Sequence, residues 1–596
     1  MQLPTPEILA TARTEFESTA KIARSLVSSV VRGRITASAM LEHWAETMPN
    51  AVAIMFEDQV ITWRQANQAV NRYANWFRQQ GLDKGSCVAL IMDNRPDYLF
   101  ITHALNRLGA TAALINTNLT GAALVHAINV ANPHKVLAGG NHHKKVHEIY
   151  DDLTTVDGAD FWIQLEAGQK KPRYGKVINE EVEHASDLRP TQLHKPKRDD
   201  HFCYIYTSGT TGLPKAALVT NHRMLMAATV FGAAMFETTP ADVIYVTLPL
   251  FHSSGMYIGW GSCLVGGATM ALRRKFSASA FIDDVRKTGA TGMLYIGELC
   301  RYLLHTPERP EDRQHNLRVA VGNGLRPDIW EAFQRRFNVG IIREFYGATE
   351  GTAALLNFEG RPGMIGRLRS GQVIVKCDPA TGEIIRNRRG RCTEVKPGET
   401  GLLLGKISPL IKFDGYLDKS ASEKKVVRNV LRRGDQYFNT GDLIQLHENR
   451  WASFADRLGD TFRWKGENVS TNEVAELLNG APGVLESNVY GVKVPHTEGR
   501  AGMAALTVDD SFDLDAFADY IQKNLTRYQL PFFIRLLDSG NMRITGTFKH
   551  QKVDYRDEAF DPNKVSDPLY FFDGKKYIPL DKALYEKIEL GEVLPA

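Results

Sequence analysis

Tyr206-Thr207-Ser208-Gly209-Thr210-Thr211-Gly212-Leu213-Pro214-Lys215 sets four hydroxyls and two glycines in six consecutive residues, Thr207 to Gly212, with a lysine three places on. Hydroxyls and bare backbone N–H groups are neutral donors that wrap phosphate oxygens, and glycine lets the backbone come close. Lys215 adds a positive charge. The stretch therefore reads as a polyphosphate loop. It is not the Walker loop, which needs four residues between its glycines and then Gly-Lys-Ser/Thr between a strand and a helix. Here two residues separate Gly209 from Gly212, and Pro214 precedes Lys215. Phe202–Tyr206 and Ala216–Val219 on either side both read as strands.

The bulk properties are those of a soluble globular enzyme. The chain has 596 residues, 43% hydrophobic and 23% charged, with a net charge of +4. That is too long for one core, so two or more domains are expected, and the small charge gives no reason to expect nucleic acid. Six scattered cysteines without a C-x-x-C pair argue for a reducing cytoplasm and against a disulfide or zinc framework. No secretory signal is evident. Val243–Leu272 contains no Asp, Glu, Lys or Arg and is long enough to cross a bilayer. Pro249, His252, Ser253, Ser254 and five glycines favour a buried strand, a loop and a glycine-rich helix instead. The basic clusters Lys170-Lys171-Pro172-Arg173, Arg273-Arg274-Lys275 and Arg386–Arg391 read either as solvated faces or as aids to peripheral contact with anionic lipid at the inner face of the membrane.

Residues 1–35 read as a helical leader. From residue 36 to 458 helix-like and strand-like pieces alternate: Ala66–Gly81 and Tyr98–Leu108 have helical character, Cys87–Met92 and Ala112–Ile115 strand character. This rhythm predicts a large multi-layer α/β domain with parallel or mixed sheets. Residues 166–200 read as a surface excursion. From 459 to 596 the texture changes. Thr471–Asn479 and Leu514–Leu525 read as helices, Ser487–Val494 and Ala501–Val508 as strands, which predicts a small α+β domain.

The loop resembles the phosphate signature of adenylate-forming enzymes: acyl- and aryl-CoA ligases, luciferases and peptide-synthetase adenylation domains. Further motifs fall where that family has them. In Glu344-Phe345-Tyr346-Gly347-Ala348-Thr349-Glu350-Gly351, the resemblance implies that Tyr346 and Gly347 lie near adenine, Thr349 touches the α-phosphate and Glu350 holds Mg²⁺. Gly322-Asn323 stands beside adenine by the same resemblance; Pro327 spoils a dinucleotide fingerprint there. Tyr437-Phe438-Asn439-Thr440-Gly441-Asp442 supplies the ribose carboxylate, Asp442, and Arg457 reaches ribose or phosphate. Gly546-Thr547-Phe548-Lys549 matches the catalytic-lysine region. His252, in Leu248–Gly255, is either at the edge of the acyl pocket or a satisfied buried histidine.

Val321–Trp330 running on to Tyr346, and the tail Pro568–Phe572 with Tyr577–Leu580, look like the very-long-chain acyl-CoA synthetase and fatty acid transport protein branch. The eukaryotic members usually carry an N-terminal membrane anchor, which residues 1–35 are not expected to supply, since their longest apolar stretch, near Leu26–Val31, is too short for a span. The resemblance implies a fatty acyl-CoA synthetase using ATP, Mg²⁺ and coenzyme A, with Met256, Tyr257, Ile258, Trp260 and Leu264 as candidates to line an acyl tunnel. A mobile C-terminal domain would pivot at Gly459-Asp460 and present Arg463, Lys465 and Gly466 on the CoA side. A fatty acyl-AMP ligase serving a carrier protein, an aryl or short-chain acid ligase, and a fatty acid uptake protein are the alternatives.

Overall fold

The computed structural model describes residues 6–31, 35–191, 196–207, 214–378, 382–408, 411–458, 460–464, 467–497, 499–538, 540–544 and 551–595. The chain divides into two compact units, Met1–Gly366 with Ile407–Val426, and Arg367–Lys406 with Val427–Ala596.

The first unit holds two sheets. In one, the parallel strands Phe161–Gln164, Lys135–Gly139, Cys87–Ile91, Thr111–Leu114 and His201–Thr207 follow in that order, and Lys215–Thr220 closes the edge antiparallel to the last. In the other, Ile341–Gly347, Val319–Asn323, Gly292–Ile296, Val243–Val246, Thr269–Leu272 and Val52–Phe56 are parallel neighbours, with an antiparallel strand at each edge. Every residue of the helix Pro96–Leu108 except Asp97 is buried. A helix buried on all sides belongs between layers. Its His103 accepts a 2.7 Å hydrogen bond from the Trp260 indole, and burial lowers its pKa to about 3, so the ring is neutral. The helix Trp63–Gln79 starts where Thr62 and Gln65 form a reciprocal capping box, and it buries Ala66, Val70, Tyr73, Ala74 and Phe77, the positions of the sequence periodicity.

Val243–Leu272 is strand, π-helix (Ser254–Trp260), α-helix (Gly261–Gly266) and strand, all heavily buried. No described helix is long and apolar enough to cross a membrane. The leader is one helix, Pro6–Val31, tied to the first unit by Lys21 and Glu237 at 2.7 Å. The excursion 166–200 contains a short strand and a one-and-a-half-turn helix, Asn179–His184.

The second unit contains an antiparallel sheet in the order Gln372–Val375, Thr400–Lys406, Gln436–Leu446, Trp451–Arg457. It also contains a five-stranded sheet beginning Val484–Val492, Ala501–Val508, Pro531–Leu537, with the helices Thr471–Asn479 and Leu514–Asn524. The stretch 36–458, expected as one domain, therefore contributes to both units, because its last strands pair with one another and group with the C-terminal portion. Two of the basic clusters differ in use. Arg273 pairs with Asp284, and Arg274 with Glu166 and Glu57, so that cluster is consumed inside the fold. Arg388 and Arg389 remain exposed.

Candidate active site

The phosphate loop lies between two strands that form a hairpin, with Thr207 opposite Lys215. Its residues Ser208, Gly209, Thr210, Thr211 and Gly212 fall outside the described residues. Tyr206 donates to the Ala127 carbonyl at 2.7 Å, and His126 bonds the Pro214 carbonyl at 3.2 Å. Along the free edge of Lys215–Thr220 runs the segment Asp414–Leu417. Leu218 N–H donates to the Gly415 carbonyl and Leu417 N–H to the Ala216 carbonyl, each at 3.0 Å. This places the Tyr416 ring 6.0 Å from the Lys215 ammonium.

Tyr416 donates its hydroxyl proton to the Glu350 carboxylate. Burial and that carboxylate both push the phenol well above its ordinary range, so it stays a donor. Arg223 holds the same region from behind. Its guanidinium donates to Asp414 at 3.0 Å, to the Lys412 carbonyl at 2.8 Å and to the Thr349 carbonyl at 3.3 Å. A Cβ on Gly351 would stand 2.5 Å from the same guanidinium, so glycine is needed for the approach. One buried arginine thus fixes both the turn bearing Thr349 and Glu350 and the segment bearing Tyr416.

His252 and its neighbours meet this turn. Ser253 Oγ lies 3.5 Å from Thr349 Oγ1. The Ser254 amide donates to His252 Nδ1 at 3.2 Å, so a neutral ring carries its proton on Nε2. Asn94 pins the approach: its amide donates to the Leu248 carbonyl at 3.0 Å and accepts from Leu250 N–H at 2.8 Å. His252 is half-buried, not enclosed in a core.

Tyr346 and Gly347 end the strand Ile341–Gly347, and Gly322 pairs with Glu344 across the neighbouring strand. Glu344 is fully buried. Its carboxyl accepts from the Tyr295 hydroxyl at 2.8 Å, from Leu325 N–H at 2.9 Å and from Gly324 N–H at 3.2 Å. The turn after Asn323 is therefore hung on one carboxyl, and the close fit continues beneath it, where a Cβ on Gly297 would fall 1.7 Å from the Gly324 carbonyl oxygen.

Burial drives the Glu344 carboxyl up from 4.5 to about 8, the three donors opposing. Between these values the folded chain keeps a proton that the unfolded chain has released. Stability from this group is thus full below about pH 4.5 and is lost as pH rises through about 8, at about 1.4 kcal/mol per pH unit. Glu344→Gln carries no such proton. Calorimetric melting from pH 5 to 8.5 should therefore fall more steeply for the native protein than for Glu344→Gln. Parallel profiles would show that the buried carboxyl is ionised throughout.

In the second unit Asp442 and Arg457 are cross-strand partners, with Arg457 Nε 3.4 Å from Asp442 Oδ1. Gly441, at φ 81°, turns the strand at this point. The adjacent Asp456 faces inward and accepts from Thr471 N–H at 2.8 Å and Thr461 Oγ1 at 3.0 Å. Asp460 pairs with Arg556 at 2.7 Å and with Lys552 at 3.7 Å. Arg463 is exposed on a two-stranded hairpin whose Trp464 is buried against Phe532. Gly459, Lys465, Gly466 and Lys549 lie outside the described residues.

Arg223, Asp414, Tyr416 and Glu344 were not foreseen as site residues. Glu344 stands two residues before Tyr346, and Asp-Gly-Tyr at 414–416 is a turn signal. Arg223 carries no local mark, because its partners are remote in sequence.

A profile of the family described as "AMP-binding enzyme" matches residues 41–405. The chain is 39% identical to long-chain fatty acid transport protein 2 of Rattus norvegicus, over 91% of this chain and 89% of that protein. It is 40% identical to the medium/long-chain-fatty-acid–CoA ligase FadD6 of Mycobacterium tuberculosis, over 91% and 89% of the two chains. Among solved structures, the anthranilate CoA ligase AuaEII in complex with anthranoyl-AMP superimposes with a TM-score of 0.74 at 20% identity, covering 88% of this chain and 96% of that one.

Proposed function

Since the chain belongs to the AMP-binding enzyme family, we propose that it is an ATP-dependent long-chain fatty acyl-CoA synthetase working through an acyl-AMP intermediate. The observation that carries this reading is the convergence of the phosphate-loop hairpin, Thr349, Glu350 and Tyr416 at one place, with the His252 turn at its edge.

In the first half-reaction a carboxylate oxygen of the fatty acid attacks the α-phosphorus of ATP. The bond to pyrophosphate breaks and acyl-AMP forms. Two anions must meet, so the chain's task is to position and neutralise them. The hydroxyls of the loop and of Thr349 direct phosphate oxygens. Lys215 and Lys549 supply positive charge. Asp442 takes the ribose hydroxyls, Arg457 braces Asp442 and faces ribose or phosphate, and Tyr346, Gly347, Gly322 and Asn323 flank adenine. In the second half-reaction the sulfur of coenzyme A attacks the acyl carbonyl, the carbon–oxygen bond to AMP breaks, and the thiol proton leaves to solvent. Arg463, Lys465 and Gly466 serve the CoA side. No protein nucleophile is required.

Glu350 fits magnesium as a single carboxylate beside phosphates, the pattern Mg²⁺ prefers when nucleotide oxygens complete its shell. Tyr416 orients this carboxylate by holding one oxygen. Bound magnesium would neutralise charge on the phosphates.

Met256, Tyr257, Ile258, Trp260 and Leu264 are all buried, and we assign them to the wall of the acyl tunnel. Each methylene moved from water into such a wall contributes about 0.8 kcal/mol. Pyrophosphate release should therefore show a KM that falls with chain length, and AMP release should require CoA. Activity confined to acetate or benzoate would refute the long-chain assignment. CoA-independent hand-over to a carrier protein would replace the acceptor. The enzyme works in the cytoplasm in this reading, with contact to a membrane from one face.

A further inference from the structure

Two loops of the second unit, some forty residues apart in sequence, are joined into one basic surface. Arg386, Arg388, Arg389 and Arg391 lie on the hairpin that turns at Asn387, whose side chain accepts from the amides of Arg389 at 2.9 Å and Arg391 at 3.2 Å. Arg428, Arg432 and Arg433 lie on the second loop. The Arg386 guanidinium fastens the two together, donating to the Gly390 carbonyl at 2.8 Å, the Asn429 carbonyl at 3.1 Å and the Arg428 carbonyl at 3.2 Å. Cys392 N–H donates to the Val430 carbonyl at 2.9 Å.

Within residues 382–392 and 427–435 seven arginines stand with two carboxylates, Glu383 and Asp435. Asp435 is engaged by the amides of Val430, Leu431 and Arg432 at 2.6, 3.0 and 2.8 Å, which shape the loop. Arg388, Arg389, Arg432 and Arg433 are exposed, and among the described residues none of them enters a salt bridge. Two aliphatic side chains are exposed on the same two loops, Ile385 at 50% and Leu431 at 38%. Exposed arginines that outnumber the carboxylates beside them repel one another in water and gain from an anionic surface. Exposed aliphatics beside them gain from an apolar phase that a nucleic acid does not offer.

We propose that these two loops dock the protein on the surface of a bilayer rich in anionic lipid. The arginines engage headgroup phosphates while Ile385 and Leu431 enter the interface. None of these residues is among the proposed nucleotide residues, and the proposal stands whether or not the acyl-CoA reading does. Under that reading it brings the enzyme to the phase in which long-chain fatty acids dissolve.

The test is co-sedimentation of the full-length protein with vesicles of phosphatidylcholine, alone or mixed with phosphatidylglycerol, and in parallel with duplex DNA at matched phosphate. The protein should sediment with the anionic vesicles only, and high salt should release it. Each basic residue at such a surface contributes about fivefold to partitioning, so replacing Arg388, Arg389, Arg432 and Arg433 together by alanine should weaken binding at least about a hundredfold. The four Arg→Lys replacements should retain it. Ile385→Ser with Leu431→Ser should weaken it a further fewfold. Melting temperatures of all variants should stay within a few degrees of native, which checks that they fold. Equal sedimentation of the four-alanine variant, equal binding to neutral vesicles, or preference for DNA over anionic vesicles would each overturn the proposal.

Discussion

Lys549→Ala should lower acyl-AMP formation by about two to three orders of magnitude, while thioester formation from supplied acyl-AMP stays within a fewfold. The magnitude is that of removing one positioned group that stabilises charge developing in the transition state. The asymmetry follows from what each step brings together. Adenylation drives a carboxylate against a polyphosphate, two anions. Thioester formation sends a thiol to a neutral carbonyl and expels AMP. In the proposed mechanism an ammonium on a flexible stem serves the first step and not the second. Lys552, three residues on, is already engaged elsewhere. It is largely buried, its Nζ donates to Thr471 Oγ1 at 2.6 Å, and its pKa is lowered by desolvation with Asp460 opposing. Lys552→Ala should thus lower thermal stability rather than select one half-reaction. Pyrophosphate release and single-turnover transfer from synthetic acyl-AMP measure the two steps separately. Equal loss in both for Lys549→Ala would remove it from the adenylation step.

What the sequence disclosed and what it withheld differ by range. Periodicity and glycine placement are local, and the helices at Trp63–Gln79 and Thr471–Asn479 and the strand Ala501–Val508 lie where they were expected. The strands flanking the phosphate loop were legible for the same reason. The uncharged run Val243–Leu272 was read correctly as buried, since proline and five glycines do not suit a span. Its π-turn at Ser254–Trp260 was not foreseen, because one extra residue per turn leaves no mark in composition. The grouping of 367–406 with the C-terminal unit was missed: strand pairing between Thr400–Lys406 and Gln436–Leu446 is a long-range fact. The same holds at the site. Thr349 and Glu350 sit in a recognisable string, whereas Arg223 acquires its role only when Asp414, Lys412 and Thr349 are folded around it.

Gly459→Pro should leave acyl-AMP formation within a fewfold and reduce CoA-dependent turnover by at least about tenfold, the signature of a blocked conformational step. The residues on either side are anchored in different ways. Leu458 N–H donates to the Gly441 carbonyl at 2.9 Å, beside Asp442. Asp460 is held by Arg556, on the helix Val553–Glu558 that follows the Lys549 segment. We propose that a rotation exchanging the Lys549 side of the domain for the Arg463 side would be absorbed between them. Glycine tolerates dihedrals closed to other residues and suits that task. Proline fixes φ near −65° and also drives the preceding residue toward extended backbone. Asp460 N–H donates to the Arg457 carbonyl at 3.0 Å, a bond that the proposed swing would break. Gly459→Ala, which restricts φ less, should fall between the native protein and the proline variant. Asp460→Ala should loosen the Arg556 tether and alter the second half-reaction more than the first. Melting temperatures of the glycine variants within a few degrees of native would confine the effect to motion. Normal CoA-dependent turnover by Gly459→Pro would place the pivot elsewhere in the chain.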